Sequence, residues 1–208
     1  MSIFARQYIH NARNRLMHVA EQLGKTGQDE LSLEVQRSSN LLTCAMALLK
    51  LDDADTVLSI LEVNLEAFFR ELSSQAETLC PAPLTLHCSA DYSLCTYPVW
   101  TFDEELVRLV IMDAVMNAVR YARHRVSLSS TWKAGELSFL VHDDGPGFPA
   151  SILENQGREV VAKAEGTGNG LYLARQIAER HQIDGKGGRI ELFNDTENGG
   201  AVFRLVLP

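Results

Sequence analysis

No stretch of this 208-residue sequence runs to eighteen apolar residues, because the greasiest segments are interrupted by Arg, Glu or Asp; a transmembrane helix is not expected. The first fifteen residues are basic and polar and lack the apolar core of a secretory signal. Cysteine is scarce. Cys44, Cys80, Cys88 and Cys95 form no CxxC pair and have no histidines around them at metal-ligand spacing, so reduced, packed thiols are expected. Positive charge is in deficit: 19 Lys and Arg stand against 27 Asp and Glu, a net charge of −8. That balance argues against a broad nucleic-acid surface, which needs clustered cations, but leaves room for a nucleotide held locally. No internal repeat or low-complexity tract occurs. These absences together imply a cytoplasmic protein with no membrane insertion and no nucleic-acid partner.

What is present is enough apolar material, 46% of residues, to bury a core in one or two domains. Residues 3–23 place Ile9, Ala12, Leu16, Ala20 and Leu23 on a helical stripe, and Gly24 with Gly27 is expected to end it. A second helix over about 30–51 carries Leu31, Leu41, Leu42, Ala45, Leu48 and Leu49. Two helices joined by a short polar turn cannot hide their stripes from water completely, and a dimeric four-helix bundle would finish the burial. After "LDDAD" the texture changes. An apolar stretch near 56–60 precedes a helix through about residue 79, and "PLTLHCS" (83–89) alternates as a strand. A long helix over 101–122 opens with Thr101 and Glu104 in capping-box spacing. "RVSLSSTW" and "ELSFLVHD" flank Lys133-Ala134-Gly135 as a hairpin, and "RIELFN" is expected to pair with "AVFRLVLP" across Gly199-Gly200. The fold class is α+β, with helices segregated against a mixed or antiparallel sheet.

Three segments carry chemistry. Asp113 and Asn117 are four apart on the 101–122 helix and share a face, with Arg120 a turn further on. In so apolar a run they are either a solvated stripe or a paired, functional set, Asn117 offering a neutral oxygen to magnesium and Asp113 orienting a metal-bound water or polarising a nucleophile. The stretch "VHDDGPGF" (141–148) ends a strand in two carboxylates and a glycine turn. Asp143 there can accept a hydrogen bond from an exocyclic amine while the glycines let backbone approach a ring; a plain Asp-Gly turn is the alternative. "GTGNGL" (166–171) sets Gly166, Gly168 and Gly170 directly before a helix, a loop suited to phosphate but lacking the Gly-Lys-Ser/Thr of a P-loop.

The order of these parts resembles the ATP-binding fold shared by histidine kinases, gyrase, the heat-shock ninety chaperones and MutL. "DAVMNAVRYA" is similar to the histidine-kinase N box, "DDGPGF" to the first glycine box, and "GTGNGLYLARQIAERH" with the closing hairpin to the second. The resemblance covers about residues 55–208 and implies an α/β sandwich of the histidine-kinase ATPase type with ATP and Mg2+ as its ligands. By this transfer Asn117 is the magnesium ligand and Asp143 the adenine contact, and Arg120, Tyr121, Gly145, Gly147, Gly166, Gly168 and Gly170 line the nucleotide and its lid. The lid would be 149–165, with Lys163 a phosphate contact; it lacks a clear phenylalanine box.

The N-terminal hairpin, residues 1–52, narrows the resemblance to sensor histidine kinases. "HNARNRL" (10–16) is similar to their H box, which makes His10 the phosphoacceptor and puts Asn14 at the position that orients water for dephosphorylating a partner. The remaining histidines, His18, His87, His124, His142 and His181, lack that context and read as structural or solvated. The resemblance breaks at Asn11, where the family has a carboxylate; an amide can orient imidazole but cannot take its proton. ATP binding is therefore implied more strongly than autophosphorylation. The implied activity passes phosphate from ATP to His10, across a hinge at 52–55, and on to an aspartate of a response-regulator receiver domain, with a homodimer formed by the helices. Only nine residues precede His10, so the stimulus is expected from a partner unless the chain is a core fragment. Two alternatives remain open: a dimeric histidine phosphotransferase that keeps the ATPase fold as scaffold, and a serine kinase of the anti-sigma type.

Overall fold

A computed structural model describes residues 3–51, 58–93, 97–159 and 169–208. The chain divides into two compact units, Met1–Val57 and Leu58–Pro208; the expected hinge at 52–55 lies outside the described residues. The first unit is a helical hairpin, α1 (Ile3–Lys25) against α2 (Asp29–Leu51). α1 runs past Gly24, and the reversal falls on Gly27, whose φ of 73° only glycine adopts at little cost. Ser32 is buried and its hydroxyl donates to the Ala20 carbonyl at 2.8 Å, tying one helix to the other. Among the described side chains of the hairpin, Ala20, Ser32, Ser39, Cys44, Ala47 and Leu51 are buried. The expected stripe is corrected in detail: Ala12 and Ala45 face water and Leu31 is 55% exposed, because one partner helix covers only the seam it touches.

In the second unit, β1 (Leu61–Asn64) leads into α3 (Leu65–Leu79), β2 (Thr85–Asp91), β3 (Val99–Phe102) and α4 (Glu104–Tyr121). β4 (Arg125–Lys133), β5 (Glu136–Asp143), α5 (Ala150–Asn155) and α6 (Asn169–Arg180) follow, then β6 (Gln182–Ile183), β7 (Lys186–Gly187), β8 (Arg189–Asn194) and β9 (Ala201–Leu207). The main sheet is five-stranded in the order β2-β4-β5-β9-β8, with β2 and β4 parallel and the other neighbours antiparallel. α4 lies on the chain path between the parallel neighbours β2 and β4, and such a crossover helix must pack back on the sheet. It does so with Val107, Val110, Ile111, Ala114, Val115, Ala118 and Val119. α3 and α6 pack beside it.

The sheet meets the helices through alternation: Leu137, Phe139 and Val141 of β5 are buried. Phe139, Phe68 of α3 and Phe102 of β3 form an edge-to-face cluster with centroids 5.2–6.4 Å apart. Full burial of each such ring is worth about 1.5–3 kcal/mol. The β4–β5 turn is Ala134-Gly135, both with positive φ, the conformation that suits a two-residue hairpin.

Two local expectations fail for one reason. Residues 61–64 are a strand, and Thr101 pairs with Glu62 across β1–β3, so Thr101 caps nothing. Asp103 is the cap instead: one carboxylate oxygen accepts from the Leu106 N–H at 3.1 Å and the other from the Ser59 N–H at 2.9 Å. Pairing between distant four-residue strands outcompeted the local box. Among the described residues, no helix is long and apolar enough to cross a membrane.

Candidate functional site

With one side of α4 committed to the core, Asp113 and Asn117 stand on its other side. The Asn117 amide nitrogen donates to Asp113 Oδ2 at 3.3 Å, so it is the Asn117 carbonyl oxygen that remains to be offered to a ligand. Gly170, in the first turn of α6, packs so closely on this pair that a Cβ there would overlap Asp113 Oδ2 and sit 3.2 Å from its Cγ. The first turn of α6 is thereby held beside Asp113. At the end of α4, Arg120 and Tyr121 are exposed, and the guanidinium lies 5.3 Å from the Tyr121 ring centre.

The strand-end glycine turn closes on the same helix. Asp143 is buried, and its Oδ1 accepts from the Gly145 N–H at 2.8 Å and from the Ala201 N–H at 3.4 Å. Burial pushes its pKa above the ordinary carboxylate value, against the pull of those two amides. Both bonds fall on one oxygen, which leaves Oδ2 to a further donor. Gly145 wedges against the C-terminus of α4: a Cβ there would overlap the Tyr121 carbonyl oxygen. Asp144 faces the α4–β4 connection, accepting from the main-chain N–H groups of Arg123 and His124.

Two side-chain amides anchor the chain beyond this turn. The Asn194 side chain accepts from Phe148 N–H at 2.7 Å and donates to Phe148 C=O at 3.0 Å. The Gln156 side chain does the same for Leu192 of the edge strand β8, at 3.0 and 2.7 Å, and the Gln156 carbonyl accepts from Arg175 Nε at 2.7 Å. Sequence reasoning missed Asn194, Gln156 and Asp144; only Gln156-Gly157 carries a turn signal, and both residues have positive φ.

Of the expected site residues, the structure therefore brings Asp113, Asn117, Arg120, Tyr121, Asp143, Gly145 and Gly170 together around α4, with Gly147 held against the Asn194 side chain. Lys163, Gly166 and Gly168 lie outside the described residues. His10 and Asn14 are on α1, in the other unit, where Asn14 is exposed; the His10 side chain is outside those described. His181 is structural: buried, it accepts the Asp103 N–H on Nε2 at 3.0 Å and donates from Nδ1 to the Ile177 carbonyl at 2.7 Å. Cys44, Cys80 and Cys88 are free thiols, but only Cys44 is packed in a core: Cys88 is exposed on the edge strand β2, against the expectation, and Cys95 lies outside the described residues. Among the described residues, no group of three His, Cys, Asp or Glu could hold a metal without other ligands. A cavity of about 540 Å³ opens elsewhere, between α3 and the end of β2 beside Arg70 and Tyr92, and contains none of the expected site residues.

The segment that builds the site, residues 102–208, matches the family described as histidine kinase-, DNA gyrase B-, and HSP90-like ATPase. The chain belongs to that family. Within the family its relatives are sensor histidine kinases. The sensor protein kinase PilS of Pseudomonas aeruginosa is 32% identical over 111 residues, which cover 50% of this chain and 20% of PilS. The sensor histidine kinase YkoH of Bacillus subtilis is 30% identical over 112 residues, 47% of this chain and 25% of YkoH. The chain thus matches a fifth to a quarter of the length of these curated relatives. Among solved structures, full-length ShkA in complex with AMPPNP superposes with a TM-score of 0.65 at 20% identity, over 98% of this chain and 45% of that one. The histidine-kinase ATPase-type α/β fold and the sequence relatives are those of a sensor histidine kinase core.

Proposed function

We propose that this protein is an ATP-dependent histidine autokinase acting in two-component signalling. Its ATPase unit binds Mg-ATP between α4, the Asp143 turn and the first turn of α6, and the γ-phosphoryl group passes to His10 and then to a receiver-domain aspartate. The observation that carries the reading is the closure of two glycine elements on one helix, Gly145 against Tyr121 and Gly170 against Asp113. Glycine at both contacts lets the turn and the helix start close directly on α4, and a buried carboxylate with one oxygen unspent suits the exocyclic amine of a purine.

Magnesium, when bound, supplies charge neutralisation and alignment of the phosphates. Asn117 would hold it through its side-chain oxygen, with Asp113 fixing the amide by the 3.3 Å bond. On His10 the imidazole lone pair attacks the γ-phosphorus, the bond from that phosphorus to the bridging oxygen breaks, and ADP leaves. The second ring nitrogen keeps its proton during attack, and Asn11 can orient that N–H without removing it. Asn14, one turn on from His10 along the helix, is suited to placing water for the reverse removal of phosphate from a receiver domain. Met17, Val19 and Leu31, exposed on the isolated hairpin at 49%, 47% and 55%, are the apolar surface a second copy would cover. Cytoplasmic residence belongs to the same reading.

Incubation with γ-labelled ATP tests it. Acid-labile label on the chain, lost in His10→Ala and chased onto a receiver domain, is the expected result. Acid-stable label on a partner protein would replace the reading with a serine kinase. Absence of nucleotide binding would replace it with the phosphotransferase that Asn11 favours.

A further inference from the structure

Asp143 and Asp144 are adjacent, yet their carboxylates have opposite environments. Asp143 is buried and raised in pKa by desolvation. Asp144 spends its carboxylate on main chain: Oδ1 accepts from Arg123 N–H at 2.8 Å and His124 N–H at 3.0 Å, and Oδ2 from His124 N–H at 3.2 Å. Its own N–H donates to the Arg125 carbonyl at 3.2 Å. Desolvation is the largest single influence and pushes the carboxyl up, but the main-chain amides of His124, Arg125 and Arg123 together outweigh it and hold it at about 2. Ionised carboxylates on backbone N–H groups make short, charge-assisted bonds.

These bonds join two places that the candidate site needs at a fixed separation. Arg123 and His124 form the connection that leaves α4 directly after Tyr121, and Asp144 directly follows the last paired residue of β5, Asp143, opposite Val126. Gly145, the next residue, is the wedge on the Tyr121 carbonyl. Sheet pairing fixes Asp143 against β4, and the carboxylate of Asp144 adds the tie from this turn to the segment that leaves α4.

We propose that Asp144 is a positioning residue of the nucleotide site, riveting the strand end that bears Asp143 to the end of α4 that bears Asn117, Arg120 and Tyr121. The proposal rests on the assignment of this site to a nucleotide. A base acceptor and a metal-side helix recognise opposite ends of one ligand, so loosening the rivet should harm the nucleotide whose amine Asp143 accepts more than one lacking it. Asp144 acts through the backbone it holds, both of its oxygens accepting from main-chain N–H groups of the α4–β4 connection.

The test uses the full chain and compares Kd for Mg-ATP and Mg-GTP in the unaltered protein, Asp144→Ala and Asp144→Asn, with melting temperature recorded in parallel. Asp144→Ala is expected to weaken Mg-ATP by about tenfold, the scale of one lost charge-assisted bond, and to shrink the ATP-over-GTP preference. Asp144→Asn, which keeps one acceptor oxygen, should recover part of both. A purely structural role would lower the melting temperature and weaken both nucleotides equally, or leave both within twofold; either result overturns the proposal. If the alanine variant does not fold, the nucleotide ratio in Asp144→Asn decides by the same criterion. Failure of the unaltered chain to bind Mg-ATP overturns the functional reading together with this proposal, whereas normal binding with an indifferent Asp144 overturns the proposal alone.

Discussion

Replacing Gly145 with alanine separates sterics from backbone strain at the heart of the site. Gly145 does not occupy the left-handed region, so alanine can adopt its backbone, and the whole effect must come from the added methyl group. That methyl carbon would lie 2.7 Å from Asp143 Oδ1, 3.0 Å from the Tyr121 carbonyl carbon, and closer still to the Tyr121 carbonyl oxygen. None of these is the far end of a flexible side chain. Tyr121 closes α4, and Asp143 is held by the Gly145 and Ala201 amides. Overpacking of this kind costs about 1–3 kcal/mol. At about 2–4 °C per kcal/mol for a chain of this size, the melting temperature should fall by roughly 2–12 °C. Because the displaced groups are those we propose as the base acceptor and the end of the metal-side helix, Kd for Mg-ATP should rise by more than about tenfold. Gly135→Ala is the control: φ is 79° there with nothing within 4 Å, so about 1–2 kcal/mol of backbone strain should lower the melting temperature and leave Kd unchanged. Calorimetric titration and thermal melting read both quantities. Wild-type Kd in Gly145→Ala, or an equal loss of binding in Gly135→Ala, would refute the reasoning.

Asp143 should give stability and binding opposite responses to acid. Its folded pKa is raised, so its ionised form costs stability at neutral pH and that cost is relieved as pH falls through the folded value, while the acceptor needed for an amine disappears over the same interval. Mg-ATP affinity should therefore begin to fall at a higher pH than an ordinary aspartate would produce, and Asp143→Asn should remove that step from the pH profile of Kd. His181 works in the other sense: burial lowers its pKa, so the unfolded chain takes up a proton below about 6.5 that the folded chain refuses, and stability is lost as pH falls from there to the folded value. His181→Ala should flatten that slope and, by stranding the Asp103 N–H and the Ile177 carbonyl, should cost about 1–3 kcal/mol for each group left unpaired, measured by denaturant melts at two pH values.

The parts legible in the sequence were those whose cause is local. The helical period of residues 104–121, the hairpin around Ala134-Gly135 and the glycine-rich turns all declare themselves within a few residues. What was not legible depends on partners far along the chain. β1 and β3 are four residues each, and their pairing moved the cap of α4 from Thr101 to Asp103. β9 enters the sheet between β5 and β8, which brings Ala201 to Asp143. Asn194 and Gln156 satisfy main-chain groups 46 and 36 residues away, and no spacing rule points to either.

The two aspartates show the same division within a single dipeptide. β5 buries Leu137, Phe139, Val141 and Asp143 by its two-residue period, so Asp143 inherits the core side of the strand at the point where the apolar run gives out. A carboxylate there is costly unless it accepts bonds, and the turn supplies them through Gly145 and Ala201. The next residue lies past the last rung of the ladder, free of the period, and can reach sideways to the neighbouring connection, as Asp144 does. Parity therefore decides which aspartate is buried at the strand end and which reaches the neighbouring backbone. An insertion of one residue within β5 would put His142 in the slot of Asp143 and Asp143 in that of Asp144 while leaving the motif intact to the eye, and Mg-ATP titration of such a variant should find binding abolished; retention of binding would show that the motif, not its register, sets the site.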